Sequence, residues 1–292
     1  MSIISYDLGG TFTKWGIFEN DELIRYGKFS SHASYGGEAL MQTLEKHLMG
    51  MMHQYQITGI AISSAGTIDH INGTVVQASD TIPNYKGMNI KKILKEILDV
   101  PIYVENDVTC AMYAETKYGH GIEQPVVFGI TIGTGVGASL IYNGEIYHGS
   151  SNFAGEIGYI EIDHQPLDLS GSTRGLCQRI AILKNEEPYL WDGIKVFEAY
   201  QKNDKICIQE VKRMCKNISK ILAIAICMYN TNMIIIGGGI MEQKKILLPI
   251  IIEELTQRLP KHIVEQTKIN EVKLGNLAGI YGAYALFKGS FL

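Results

Sequence analysis

Two short stretches of this 292-residue chain have residue types suited to holding an anion. "DLGGT" at 7–11 and "IGTGVG" at 132–137 each follow an apolar run, turn through glycine and threonine, and lead into a second extended run. A glycine-rich turn lets backbone N–H groups approach and cradle an anion, because no Cβ blocks access. Two such turns could hold the successive phosphates of a nucleotide. Singly, each reads as an ordinary β-turn. Together, with "IIIGGG" at 234–239, they favour the phosphate reading. Two other glycine devices fail. A P-loop is absent, since Gly27–Lys28, the only Gly-Lys pair, has Glu22 where the first glycine belongs. "GTGVGA" at 133–138 fits a dinucleotide-binding spacing, but "SLIYNGEIY" after it reads as strand and turn, where that motif needs a helix.

The elements that must carry these turns follow from periodicity. Residues 2–30 read as a β-meander, with turns at Gly9–Thr11 and Asn20–Asp21. Leu40, Leu44, Leu48 and Met52 stand four apart and predict a helix. "ITGIAIS" (57–63) is a strand, and "IDHINGTVVQ" (68–77) a hairpin with Asn72–Gly73 at its tip. A helix through Ile90–Leu98 precedes the strand "PIYVEND" (101–107), and "VTCAMYAETKYG" (108–119) continues as a helix. After "YGHGIEQP" (118–125) the pattern restarts, with strands near 126–132 and 136–142 and the turn Asn143–Gly144. A long helix at 205–229, a buried strand at 233–239, a helix near 244–259, a strand at "NEVKLG" (270–275) and a helix at "GIYGAYALF" (279–287) complete it. These alternations predict a duplicated α/β fold, each half opening with a glycine-turn hairpin, the two facing one another across a cleft. The boundary falls near Tyr118–Gln124, giving domains 1–120 and 121–292.

Composition bounds the partners. Apolar residues make up 46%, enough for a substantial core, and the formal net charge of −4 comes without a basic run. That argues against nucleic acid or an anionic membrane as the main partner. The longest apolar stretches, such as "ILLPIII" (246–252), are too short to span a bilayer. The five cysteines contain no C-x-x-C pair, an odd and scattered set that suits a reducing cytosol. With no secretory signal expected before Ile3, the expected location is cytoplasmic.

The order "DLGGT" (7–11), "VENDV" (104–108), "IGTGVG" (132–137), "GEIGY" (155–159) and "IIIGGGI" (234–240) resembles the ROK family of sugar kinases and related repressors, within the actin-like ATPase, hexokinase-like superfamily. The match spans residues 3 to about 287. The resemblance implies two ribonuclease H-like α/β domains, the first binding phosphate and sugar, the second nucleotide and sugar. It implies ATP and Mg²⁺ as cofactors, a small sugar as substrate and a homodimer. Family repressors carry a helix-turn-helix domain before the first glycine motif; here the first strand is expected at once, which favours a kinase. The resemblance makes Asp107 the base. The residue itself agrees, standing at a strand's end and a helix's start, where open α/β sheets bind ligands. There it could accept a proton from a sugar's 6-hydroxyl; the bland alternative is that it caps the helix. Asn106 would bond sugar hydroxyls, and Glu156 would accept from two of them. Asp7 would help hold Mg²⁺ through water. Gly9, Gly10, Thr11, Gly133, Thr134 and Gly135 would line the phosphates, and Gly238 and Gly239 would lie by the adenosine. Lys14 reads as a solvated strand lysine, with phosphate contact the sharper alternative. Asn84 lies in the region of the family's sugar loop without a firm match.

The chain also departs from the pattern. The family has His where Tyr159 stands, and that His both touches the sugar near its anomeric carbon and ligates a structural zinc. The family's cysteines in C-x-C-G-x-x-G-C-x-E fall here on Leu169, Gly171 and Leu176, its glutamate on Gln178, with Cys177 one place off. His148 and His164 do not rebuild the site, so no structural zinc is expected, and packing through Leu169 and Leu176 is one substitute. Tyr159 and Gln178 match positions near the sugar's C1 and C2 hydroxyls. Their change relaxes the demand for a free anomeric hydroxyl, and Tyr159 could pack on a second ring. The expected substrate is therefore a β-glucoside or disaccharide such as cellobiose. Glucose or an N-acetylhexosamine such as N-acetylmannosamine is the alternative within the kinases, and a non-catalytic sugar-sensing regulator is the alternative of another class.

Overall fold

The computed structural model describes residues 2–79 and 81–292. The chain forms two compact units, one from Met1–Ile122, His148–Ala154 and Lys273–Leu292, the other from Glu123–Tyr147 and Gly155–Val272.

In the first unit, β1 (Ser2–Leu8), β2 (Phe12–Glu19) and β3 (Glu22–Ser30) form the expected antiparallel meander. β4 (Ile57–Ser64) runs parallel to β1, β5 (Thr67–Asp69) and β6 (Thr74–Gln77) pair as a hairpin, and β7 (Ile102–Asn106) adds parallel to β4. The sheet order is β3-β2-β1-β4-β7. The helix Gly37–Met52 buries Leu40, Leu44 and Leu48 of the stripe that the four-residue spacing predicts, while Met52, its last member, is exposed and Met51 is buried in the final turn.

The second unit repeats the plan. β8 (Val126–Ile132), β9 (Val136–Tyr142) and β10 (Glu145–Ile146) are antiparallel. A short pair, β11 (Glu161–Ile162) and β12 (Gln165–Pro166), stands apart from that sheet. β13 (Met233–Gly237) and β14 (Lys268–Glu271) add parallel, giving the order β10-β9-β8-β13-β14. Asn143 and Gly144 turn the β9–β10 hairpin with φ of 50° and 81°, the mirror-image turn that matches strand twist. The helix Lys205–Tyr229 starts where the Asp204 side chain accepts from the Cys207 N–H at 3.0 Å, and ends at Asn230 with φ of 49°. Its inner stripe, including Val211, Cys215, Ile218 and Leu222, is buried in the core of this unit.

Three expectations shift. The last strand lies over Lys268–Glu271, ahead of "NEVKLG", because Ile269 pairs beside Ile234 and takes the apolar register. The helix near 244–259 stops at Thr256. The final helix, Ala278–Phe291, belongs with the first unit, whereas the sequence reading put it in the domain 121–292. Its apolar residues explain the move: Phe287 packs where a Cβ on Gly59 of β4 would collide with its ring, and the Ser5 hydroxyl donates to the Ile280 carbonyl at 2.8 Å.

Two contacts in this unit yield measurable consequences. Gly282 lies so close to the Cys110 carbonyl of the helix Asp107–Tyr118 that any Cβ would overlap it. Backbone cannot yield as a side-chain tip can, so Gly282→Ala is expected to cost about 1–3 kcal/mol or more in denaturant unfolding. His47 packs on Trp15 and Phe29, bonds the Tyr6 hydroxyl through Nδ1 at 3.0 Å, and burial pushes its pKa down to about 4. Between about pH 6.5 and 4 the unfolded chain therefore binds a proton that the folded one refuses, and stability falls as pH falls through that window. Unfolding curves at pH 7, 5.5 and 4 should show this loss shrink in His47→Gln, which removes the titrating ring.

Candidate active site

In the first unit the sheet register assembles the acidic end of β1. Asp7 stands directly opposite Lys14 on β2 and beside Ser63 on β4. Lys14 Nζ reaches its Oδ2 at 3.2 Å, and the Ser63 hydroxyl donates to its Oδ1 at 2.8 Å. A Cβ on Gly279 would sit 2.6 Å from the Asp7 carboxyl, so the start of the final helix also abuts this group. Lys14 is thus a partner of Asp7, not the solvated strand lysine of the sequence reading. One carboxylate with a hydroxyl beside it suits Mg²⁺, which keeps most of its water and takes few protein ligands. Beyond Asp7 the turn closes with the Gly9 N–H donating to the Phe12 carbonyl at 3.2 Å, leaving Gly10 and Thr11 exposed. A Cβ on Gly10 would meet nothing within 4 Å, so this corner is open to a ligand.

At the end of β7, Asn106 and not Asp107 caps the helix. The Asn106 Oδ1 accepts from the Thr109 N–H at 3.0 Å, while its amide nitrogen donates to the Gly66 carbonyl at 2.9 Å and to Asp107 Oδ1 at 3.1 Å. Asp107 becomes the first helical residue, its Oδ1 also accepting from the Val108 N–H at 2.9 Å. The carboxylate is held by these donors at a helix N-terminus, a favourable place for negative charge. The simple capping role open to Asp107 in the sequence thus falls to its neighbour. Asn84, in a loop of the same unit, is exposed with φ of 56°.

In the second unit the turn 133–135 closes with the Gly133 N–H donating to the Gly135 carbonyl at 2.9 Å. The Thr173 N–H, at the start of the helix Thr173–Lys184, donates to the Gly133 carbonyl at 2.9 Å, and Thr134 stands exposed. Gly238, with φ of 98°, has no room for a Cβ against the Ile132 carbonyl, so the tight connection after β13 lies beside this turn. Gly239 begins a short 3-10 turn with open space around it. Glu156 is half-buried and starts the 3-10 turn Ile157–Tyr159, and the Tyr159 side is 59% exposed.

Asp168 escaped the sequence reading. Its Oδ1 accepts from the Val136 N–H at 2.7 Å, bracing the strand that leaves the 133–135 turn, and it leaves no room for a side chain at Gly158 of the "GEIGY" segment. One carboxylate therefore ties two motifs together. "LDLS" carries no local signal for this, because the contact is long-range.

The stretch 169–178 supplies no zinc ligand from Leu169, Gly171, Leu176 or Gln178, and the Cys177 thiol is buried with its pKa pushed up to about 11. Structural zinc needs four such ligands, and this set does not fit it. Leu176 is fully buried, but Leu169 is 44% exposed, which corrects the idea that both pack in place of the metal. Bracing comes instead from Arg179, whose guanidinium bonds the Leu169 carbonyl and reaches the buried Glu210 at 2.7 Å. His164 is exposed at the β11–β12 turn, and His148 lies with the first unit.

The ROK family model matches residues 3–290, so the chain belongs to the ROK family. Among its relatives, an uncharacterised protein of Clostridium perfringens is 35% identical over 286 residues, covering 98% of this chain and 97% of that one. A β-glucoside kinase of Listeria monocytogenes is 27% identical over 292 residues, covering 97% and 96%. Among solved structures, a ROK family glucokinase from Streptomyces griseus in complex with glucose and AMPPNP superposes with a TM-score of 0.79 at 19% identity, covering 99% of this chain and all of that one.

Asp168→Ala should orphan the Val136 N–H and cost about 1–3 kcal/mol. Hydrogen exchange at residues 133–136 should accelerate, and Asp168→Asn, which keeps an acceptor, should restore most of the protection.

Proposed function

We propose that this chain, an ATP-dependent carbohydrate kinase of the ROK family, transfers the γ-phosphoryl group to the C6 hydroxyl of a glucose-type sugar, with a β-glucoside or disaccharide such as cellobiose as favoured acceptor. The observation that carries the chemistry is the division of labour at the end of β7: Asn106 takes the helix cap and helps orient Asp107. Asp107 accepts the proton of the acceptor hydroxyl as its oxygen attacks the γ-phosphorus. Glu156 accepts from sugar hydroxyls, and Asn106 adds a further contact. The turns 9–11 and 133–135 offer N–H groups to phosphate oxygens, and Gly238 and Gly239 lie by the adenosine. Asp7 holds Mg²⁺ through water, and the ion, when bound, neutralises phosphate charge. The acceptor preference rests on Tyr159, whose exposed ring can pack on a second sugar or aglycone, and on Gln178, which is also exposed. Similarity to a β-glucoside kinase supports the same reading. Among the described residues no helix is long and apolar enough to cross a membrane, and we place the protein's work in the cytoplasm.

ADP formation with ATP and Mg²⁺ tests this on cellobiose, a simple β-glucoside, glucose and N-acetylmannosamine. The glycosides should give the highest kcat/KM, and Asp107→Asn should lower kcat by about 10²–10⁴-fold while the protein stays folded. A robust preference for free glucose would overturn the acceptor assignment and leave the kinase standing.

A further inference from the structure

The segment His148–Ala154 follows β10 in sequence but packs with the first unit. It brings a histidine to a buried carboxylate. Glu105, the residue before Asn106 on β7, is 2% exposed. Its Oε1 accepts from the Asn106 N–H at 2.8 Å, and its Oε2 lies 2.8 Å from His148 Nε2 and 3.5 Å from the Tyr103 hydroxyl. The His148 ring stacks on that of His70, with centroids 3.8 Å apart and planes 15° from parallel. His70, at the turn after β5, has its Nδ1 3.0 Å from Asn152 Oδ1, in the same segment as His148. One donor atom from each of His70, Glu105 and His148 lies within 4.8 Å of the others.

We propose that His70, Glu105 and His148 form a binding site for a divalent transition-metal ion of the zinc and cobalt class. The donor set is two imidazoles and one carboxylate, which suits borderline ions better than Mg²⁺ or Ca²⁺, whose ligands are oxygens. The surroundings are those of ligating groups. Asn152 accepts from His70 Nδ1–H and leaves Nε2 with its lone pair, while Tyr103 and the Asn106 N–H hold the carboxylate. Metal–nitrogen bonds of about 2.0–2.1 Å require the stacked rings to open and turn their nitrogens inward. Both histidines are only partly buried, His148 with 23% of its side chain accessible, so the ion has a path from solvent. Three protein ligands leave a fourth position for water. Bound there, the ion would tie the β5–β6 hairpin and the 148–154 segment to the end of β7. The set shares no residue with the stretch 169–178, and it does not rest on the kinase reading.

The test is a titration of the chelator-treated full chain with Co²⁺, followed by visible absorption. We expect d–d bands that saturate at one ion per chain, are displaced by Zn²⁺, and lack a thiolate charge-transfer band. The bands should vanish in His148→Ala and in His70→Gln, and persist in Cys227→Ser, which removes the exposed thiol. Circular dichroism checks each fold; should His148→Ala fail to fold, His70→Gln, at a partly buried turn position, decides. No bands from folded protein, bands surviving loss of either histidine, or bands lost with Cys227 would overturn the proposal.

Discussion

The close approach of the final helix to the first sheet governs where both candidate carboxylates stand. Gly279 lets that helix start against Asp7, and Gly282 lets it cross the helix that begins at Asp107, backbone against backbone. Side chains at either position would push the helix away from β1 or from residues 107–118. The same helix accepts the Ser5 hydroxyl bond and lays Phe287 over Gly59. A segment from the far end of the chain thus fixes the floor beneath two acids that the sequence separates by a hundred residues. Packing at native density makes such contacts intolerant of even one added methyl.

Duplication of the fold does not duplicate the chemistry. Both sheets place three antiparallel strands before two parallel ones, and both turn through glycine after the first strand. Where β1 aligns Asp7 with Lys14 and Ser63, β8 aligns Thr131 with Gly137 and Gly237. One row carries charge and hydrogen-bonding groups; the other is nearly bare backbone. Such a bare row suits close approach of a bulky ligand, while a charged row suits a cation or its phosphate partners. The two turns that look alike in sequence therefore sit at the ends of rows with different capacities.

Much of this was legible because it is local. Periodicity located most strands of both sheets and the helices Gly37–Met52, Asp107–Tyr118 and Lys205–Tyr229, and Asn143–Gly144 announced its turn, whereas the helices Thr173–Lys184 and Gly193–Gln201 were not foreseen. What escaped was long-range. The apolar final helix reads the same whichever core receives it, so its assignment to the first unit needed the packing itself. Asp168 bonds an amide on another strand, and nothing in "LDLS" points there. His148 read as a neighbour of the missing zinc motif, yet its segment returns to Glu105. At Asn106–Asp107 two adjacent residues could each cap a helix, and only geometry distributes the duties. Leu169 stands where the family has a cysteine, and apolar packing there was one substitute for the metal; its side chain is instead exposed, and its carbonyl is the group held by Arg179.

That distribution constrains how Asn106 could meet a sugar. A side-chain amide offers two N–H donors and an oxygen with two lone pairs. Both donors are committed, to Gly66 and to Asp107, and one lone pair takes the Thr109 N–H. The remaining capacity is a single acceptor site. A sugar hydroxyl meeting Asn106 without disturbing the helix cap must therefore donate to it. Donation by Asn106 would require breaking its bond to the Gly66 carbonyl or to the Asp107 carboxylate, and the second of these would loosen the group proposed to take the proton. The cap and the remaining acceptor position thus share one amide, and its bonds to Gly66 and Asp107 both survive only if that amide accepts from the sugar.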